Sequence, residues 1–279
     1  MKQRNALFAE FLRKLGLRPG QHVMVHASLR RLRSAFPGVS AQGFIEELQR
    51  RVGLSGSIVM PAFTYCFKRP HGPLEVFDPA STPSKVGALS EVFRNMPQVV
   101  RTCSATHSFS LWGEAARSVG QDNAPESPLG EGSVLDWLAQ QAHAYALLFA
   151  VDFSALSFCH YLEVKAPVPW VGHFPWSHMG ILPVGVSIAG EQPLREVPGC
   201  SKNFVAFESH LLSRKKVRRV RRGTFWAYLL ELNLLLSEGL RFFREHPQLL
   251  LCAPGTCPAC DERRRAFPQA KAGQEVSPQ

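Results

Sequence analysis

No run of about twenty apolar residues occurs in this 279-residue chain, so no segment is suited to cross a membrane as a helix. The opening stretch MKQRNALFAEFLRKLGL also lacks the apolar core and cleavage site of a secretory leader, because Arg4, Glu10, Arg13 and Lys14 interrupt its apolar residues. A cytoplasmic protein without membrane partners is therefore expected. Four chemical signatures are missing as well: a GxxxxGK phosphate loop, a GxGxxG dinucleotide turn, a GxSxG nucleophile elbow and an HExxH zinc helix. Their absence excludes the common routes to nucleotide hydrolysis, dinucleotide redox chemistry, serine hydrolysis and zinc proteolysis. No internal repeat recurs at a fixed period. Acidic residues are scarce, 22 against 32 Lys and Arg, and the net charge of +10 favours an anionic partner such as nucleic acid, a membrane surface or a phosphate-rich cofactor.

What is present reads as an ordinary globular chain, 45% hydrophobic and long enough to bury a large core. Leu7, Phe8, Phe11, Leu12 and Leu15 recur at helical spacing over residues 4–16, and Gly16 with Pro19-Gly20 ends that helix. HVMVHASL is a short buried strand, residues 41–51 form a second helix through Phe44, Ile45 and Leu48, and SIVMPAF is a second strand. Further helices are expected at Val86–Arg94, VLDWLAQ, SALSFCHYLEV, 203–214 and 224–245, with YALLFAV as another buried strand. The stretches Thr64–Pro83 and Pro167–Pro183, rich in Pro and aromatics, are long loops of the kind that carry function. The order fits an α/β class: one α/β/α sandwich domain over residues 1–266 with a helical C-terminal third, followed by a disordered tail at 267–279. Seven cysteines, with Cys66, Cys103, Cys159 and Cys200 isolated along the chain, read as reduced thiols rather than a disulfide framework.

Four segments carry the chemistry: VMVHASL (23–29), FDPASTPSKVGALSEVFR (77–94), THSFSLWG (106–113) with PLGEGSVL (128–135), and LLFAVDFSALSFCHYLE (147–163). In this order they resemble the aminoglycoside 3-N-acetyltransferase family, which carries a VHxSL strand end, an FDPxxTPSxxGxLxExFR block, an SFxAxG block, an LGEGSP turn and a block ending in HxxE. The likeness extends over roughly residues 5–252. It implies a fold distinct from the common N-acetyltransferase fold, acetyl-CoA as the donor co-substrate, and an amine acceptor on an aminoglycoside or related amino sugar. The oligomeric state stays open, a homodimer being one candidate; nucleic acid is not an expected partner.

The residues themselves lead to a compatible place. Thr82-Pro83-Ser84 ahead of the apolar positions Val86, Leu89, Val92 and Phe93 is a helix start, whose free N–H groups either receive an anion or are simply capped. His26 and Ser28 at a strand end either line a cleft or satisfy each other. His160 and Glu163, three apart on a helix, share a face, so that an imidazole able to take a proton from an attacking amine is oriented by a carboxylate. The resemblance assigns His160 as general base with Glu163 beside it, places the cofactor on His26, Ala27, Ser28, Leu29, Ser84, Lys85, Val86 and Gly87, and places the acceptor on Phe63, Asp78, His107 and Glu131. No cysteine in the block except Cys159 is near, and it points away from the His160 face, so direct transfer is expected rather than an acetyl-enzyme. Ser104 and Ala105 replace a frequent family His-Pro pair, and Ser154 and Ser157 stand where Asn and Thr are usual. The loop TYCFKRPHGPLEVFD lacks the acidic surplus that a polycationic acceptor calls for, with Lys68, Arg69 and His71 expected to face the substrate.

Two constellations stand outside this pattern. SRKKVRRVRRG places seven cations within residues 214–222 and is read as a solvated helix end and strand edge; the alternative is a non-catalytic family member that binds nucleic acid or another anionic partner through it. His246, Cys252, Cys257 and Cys260 have the donor types of a tetrahedral zinc site, against the plainer reading of reduced structural cysteines.

Overall fold

The structure, a computed structural model, describes residues 2–217 and 219–267, the side chains of residues 2–5 excepted. Helix α1 (Lys2–Leu15) precedes strand β1 (His22–Ala27), then α2 (Leu29–Ala35), α3 (Ala41–Val52) and β2 (Ser57–Pro61). After a long loop come α4 (Ala88–Arg94), β3 (Val100–Arg101), β4 (Phe109–Gly113), α5 (Glu114–Ser118), α6 (Val134–Ala139), β5 (Ala144–Phe149) and α7 (Phe158–Lys165). A hairpin of β6 (Val184–Ser187) and β7 (Gly190–Pro193) leads to α8 (Val205–Ser213), β8 (Val220–Arg222), β9 (Phe225–Glu231), α9 (Leu232–Glu245) and α10 (Pro258–Arg264). Local chemistry sets several boundaries. Ser40 Oγ accepts the Gly43 N–H at 3.0 Å to start α3, and Gly53, at φ +66°, ends it in a conformation that side chains disfavour.

Seven strands form one sheet in the order β3-β4-β2-β1-β5-β9-β8. The central β1 is parallel to both neighbours, whereas every other pairing in this sheet is antiparallel. The period-two alternation of buried strands divides the core. Met24, Val59, Ala146 and Leu148 face a layer built from α6 to α10, while Val23, Val25, Ile58, Leu147 and Phe149 face α1 to α4. This is the expected three-layer α/β arrangement. Phe8 and Leu12 of α1 are fully covered on the second face, each worth about 1.5–3 kcal/mol of burial. Because the chain leaves β1 on one side for β2 and reaches β5 on the other, a crevice opens beyond the carboxyl ends of these parallel strands.

Several expectations need correction. Residues 224–245 are not one helix: Phe225–Glu231 is strand β9, paired with β5 over Ala227–Glu231, and the helix begins at Leu232. The apolar run continues through both elements, so periodicity alone merges a strand covered on both faces with an amphipathic helix. The C-terminal third is thus mainly helical but contributes two strands to the sheet. Helix α4 starts at Ala88, not Val86, with Gly87 at its cap and no side-chain cap. Phe267, assigned to the tail, packs on Trp170 with ring centroids 5.6 Å apart; residues 268–279 lie outside the described residues, as does Arg218. Among the described residues no helix is long and apolar enough to cross a membrane.

Candidate active site

The segment after β5 turns sharply before entering α7. Asp152 Oδ1 accepts the Ser154 N–H at 3.0 Å and caps a short turn at Phe153–Ala155. The buried Glu208 of α8 fixes this turn from behind: its Oε2 accepts the Phe153 N–H at 3.0 Å, and its Oε1 accepts from Tyr228 Oη at 2.5 Å and Arg219 Nη2 at 2.6 Å. Arg219 belongs to the basic segment, so one of its cations serves inside the protein. Lys216 pairs with Glu238 at 3.7 Å and Arg222 lies over the Phe36 ring. Val220–Arg222 is the sheet edge, in keeping with the plainer of the two readings of that segment.

On α7, His160 Nδ1 lies 2.8 Å from Glu163 Oε2. The other oxygen of Glu163 accepts from Trp170 Nε1 at 3.1 Å and from Arg263 Nη1 at 2.8 Å. Burial opposes the Glu163 charge, yet Arg263, His160 and Trp170 together hold its carboxyl below the ordinary value. An ionised carboxylate only accepts hydrogen bonds, so His160 carries its proton on Nδ1 and offers the Nε2 lone pair as a base. The ring packs edge-on against Phe204, centroids 4.9 Å apart, which restricts its tilt.

His160 lies where two cavities meet. The first, of about 600 Å³, runs along the crevice at the carboxyl ends of β1 and β2 and is lined by Val25–Leu29, Lys85–Ser90 and Ser154–Ser157 among others. The second, of about 400 Å³, is lined by Phe67, Arg69, His107, Trp176, Met179 and Ile181. Phe63, Tyr65, His160 and Ser201 belong to both. A base reached from two sides suits transfer of a group between two bound molecules.

The expected site residues divide into those brought together and those not. His26, Ala27, Ser28, Leu29, Lys85, Val86 and Gly87 all line the larger cavity. His26 Nε2 accepts the Ser157 N–H at 3.4 Å, and burial lowers its pKa to about 3, so it is a neutral acceptor that ties β1 to the entry of α7. Gly87, at φ +125°, has open space where a Cβ would stand, which leaves its backbone accessible from the cavity. Ser84 lines neither cavity: its N–H is taken by Glu91 Oε2 at 2.8 Å, and its hydroxyl accepts from Val86 N at 3.4 Å. Thr82 likewise bonds within the loop, accepting the Asp78 N–H at 2.8 Å.

Of the acceptor residues, Phe63 and His107 line the second cavity. His107 Nδ1 meets Thr106 Oγ1 at 2.9 Å, and burial first, with His160 nearby, lowers its pKa to about 3. Asp78 and Glu131 do not line it. The Asp78 carboxylate is committed to its own turn, accepting from Ala80 N at 2.9 Å and Ser81 Oγ at 2.7 Å, and Glu131 is exposed on the turn before α6. Lys68 turns to Glu191 at 2.6 Å and His71 lines neither cavity, so Arg69 alone of the three basic loop residues expected to face the substrate lines the second cavity. Cys159 is fully buried, burial pushes its thiol far up, and it lines neither cavity. Sequence reasoning missed Arg263, Trp170, Tyr65 and Ser201. Arg263 stands 100 positions from Glu163 and no local pattern links the two. His246 is not with the cysteines: it packs against Phe242, ring centroids 5.4 Å apart, and the sulfurs of Cys252, Cys257 and Cys260 are joined instead by that of Cys200.

A family model described as aminoglycoside 3-N-acetyltransferase matches residues 24–244. Aminoglycoside N(3)-acetyltransferase IV of Salmonella sp is 30% identical over 161 residues, 57% of this chain and 58% of that protein. The SPbeta prophage-derived aminoglycoside N(3')-acetyltransferase-like protein YokD of Bacillus subtilis (strain 168) is 31% identical over 176 residues. The matched segment spans 58% and 64% of the length of these two relatives. Among solved structures, the apoenzyme of aminoglycoside acetyltransferase AAC(3)-IVa superposes with a TM-score of 0.75 at 24% identity, covering 94% of this chain and 97% of that one. This likeness shows the fold.

Proposed function

This chain belongs to the aminoglycoside 3-N-acetyltransferase family, and from that premise we propose that it transfers the acetyl group of acetyl-CoA directly to an amine, with His160 as the general base. The observation that carries the reading is the position of His160 at the junction of two cavities, its Nδ1 held by Glu163 at 2.8 Å. The larger cavity is assigned to the co-substrate, in line with a relative of the same fold, AAC-IIIb, solved with CoASH. Lys85, beside the exposed backbone at Gly87, is the cation that would meet the CoA phosphates. The smaller cavity then takes the acceptor. The amine attacks the thioester carbonyl while Nε2 removes its proton; the imidazolium so formed is stabilised by Glu163, and the thiolate of CoA leaves. Loss of a general base typically costs about 10²–10⁴ in rate.

The acceptor is proposed to be less cationic than the drugs bound by structural relatives, one of which, AAC(3)-IVa, was solved with a gentamicin. Among its described lining residues the smaller cavity has no carboxylate, and it has one cation, Arg69. Glu75 lines neither cavity, and Glu126 lies 3.8 Å from Arg195. Glu163 and Glu196 border only a separate small cavity beside His160. Burial raises the Glu196 pKa despite its bonds to Ser127 and Leu129, which weakens its pull on a cation. An amino sugar bearing a carboxylate or phosphate would suit aromatic walls and Arg69. Steady-state release of free CoA, measured with a panel of 2-deoxystreptamine aminoglycosides and with acidic amino sugars, tests both parts. No CoA release with any amine would overturn the reaction. A specificity constant near about 10⁵ M⁻¹s⁻¹ for a polycationic drug, an ordinary value for a cognate substrate, would overturn the acceptor assignment.

A further inference from the structure

Four of the seven cysteines converge on one point, although Cys200 lies more than fifty positions before the other three. Cys200 precedes a short turn at Lys202–Phe204, Cys252 lies in the loop after α9, Cys257 caps α10, and Cys260 sits in its first turn. Their sulfurs all lie within 4.8 Å of one another, and those of Cys200 and Cys252 are 3.6 Å apart. Tetrahedral zinc bound by four thiolates at about 2.3 Å per bond requires neighbouring sulfurs about 3.8 Å apart. A disulfide requires about 2.05 Å, well below the 3.6 Å separation here. Small apolar packing does not explain the cluster either, because isolated buried cysteines have no reason to bring four sulfurs to a single centre.

We propose that Cys200, Cys252, Cys257 and Cys260 bind one structural zinc ion that fastens α10 to the segment carrying Cys200. On binding, the four thiols release their protons to solvent and the metal keeps its oxidation state. The surroundings are built for such a centre. Gly255, at φ +76°, turns the loop between Cys252 and Cys257, and its N–H donates to the Asp261 carboxylate at 3.1 Å. Arg264 donates to the Cys252 carbonyl and closes the loop from the other side.

The position of the site gives the metal a consequence. Gly199 and Ser201, on either side of Cys200, line the acceptor cavity. Helix α10 supplies Arg263, whose guanidinium packs against Gly199 so closely that a Cβ there would collide with its Cζ. The same guanidinium donates to Glu163 at 2.8 Å. Zinc therefore makes Arg263 a positioning residue for the Glu163–His160 pair. The metal assignment stands without the acetyl-transfer reading, and only this last link rests on it.

The test begins with elemental analysis of full-length protein purified without a metal-binding tag. About one zinc per chain is expected, released in step with titration of four thiols by an organomercurial. Cobalt substituted for zinc should show thiolate-to-metal charge transfer and the intense ligand-field bands of a tetrahedral site, a readout that does not depend on any variant folding. Cys200→Ser and Cys252→Ser should lose metal, whereas His246→Ala should keep it. Stripping zinc should lower turnover while leaving acetyl-CoA binding within about twofold, since none of the four cysteines lines the larger cavity. Metal-free protein with all thiols reduced, a disulfide within the cluster by mass spectrometry, or metal loss in His246→Ala would each overturn the assignment. Stoichiometric zinc in a protein that acetylates no amine would leave the metal site standing and refute the functional reading alone.

Discussion

Glu163→Gln separates the orienting role of the carboxylate from its bulk. In the native site the ionised carboxylate accepts from His160 Nδ1 at 2.8 Å, so the imidazole proton stays on Nδ1 and Nε2 is free to take a proton. A glutamine can turn its amide N–H toward Nδ1, which drives the imidazole into the opposite tautomer with Nε2 already protonated. It also withdraws the negative charge that stabilises the imidazolium formed during transfer. Turnover should fall by about 10²–10⁴, equivalent to about 2.7–5.4 kcal/mol at 1.36 kcal/mol per tenfold. The KM for acetyl-CoA should change little, because Glu163 does not line the larger cavity. Stability falls too. Glu163 and Arg263 have only 6% and 4% of their side-chain surface exposed, and an uncompensated buried charge costs about 3–5 kcal/mol. Glutamine retains an oxygen for Arg263, so the low end applies, and a loss of about 3 kcal/mol corresponds to a melting point roughly 6–12 °C lower in a domain of this size. Stopped-time assays of CoA release and calorimetry measure both quantities. Turnover within about threefold of wild type, in a variant shown to be folded, would refute the orienting role.

His160→Ala should fold with an unchanged circular dichroism spectrum and lose about 10²–10⁴ in turnover while still binding acetyl-CoA; near-native turnover would remove His160 from the mechanism. Ser90→Asp, on the cavity wall at the start of α4, should weaken CoA binding by about tenfold through repulsion of its phosphates, whereas Ser84→Asp, outside the cavity, should shift it less than about twofold in titration calorimetry. Acid should weaken the fold sharply. His26 and His107 both fall from 6.5 to about 3 on folding, so the unfolded chain takes up their protons first. Their contribution is complete above about pH 6.5 and is lost as the pH falls toward 3, at about 1.4 kcal/mol per pH unit for each histidine. Denaturant midpoints should therefore correspond to about 3 kcal/mol less stability at about pH 5 than at about pH 6.5, with about half that loss in a folded His107→Asn variant; a midpoint independent of pH over this range would contradict the burial of both rings.

The helices α1, α3 and α6, the strands β1, β2 and β5, and the pairing of His160 with Glu163 are legible in the chain because each rests on contacts within a few residues: periodic apolar positions, Ser40 or Ser133 at a cap, or a three-residue step along one helix. Long-range contacts decided the rest. Phe225–Glu231 is a strand because β5 offers it an edge, and nothing in its own apolar run distinguishes it from the helix that follows. Ser84 and Asp78 look like site residues in a linear motif but are used up by bonds to Glu91 and to the turn at Ala80 and Ser81. His246 is the near neighbour of three cysteines in sequence, whereas Cys200, more than fifty positions before the first of them, is the neighbour in space. Arg263 reaches Glu163 only once the fold has brought the α10 side chain to α7. Spacing along a chain constrains which side chains share a face of one element. Which elements share a site depends on how the sheet orders its strands and how the layers close over it, and those contacts form only in the folded molecule.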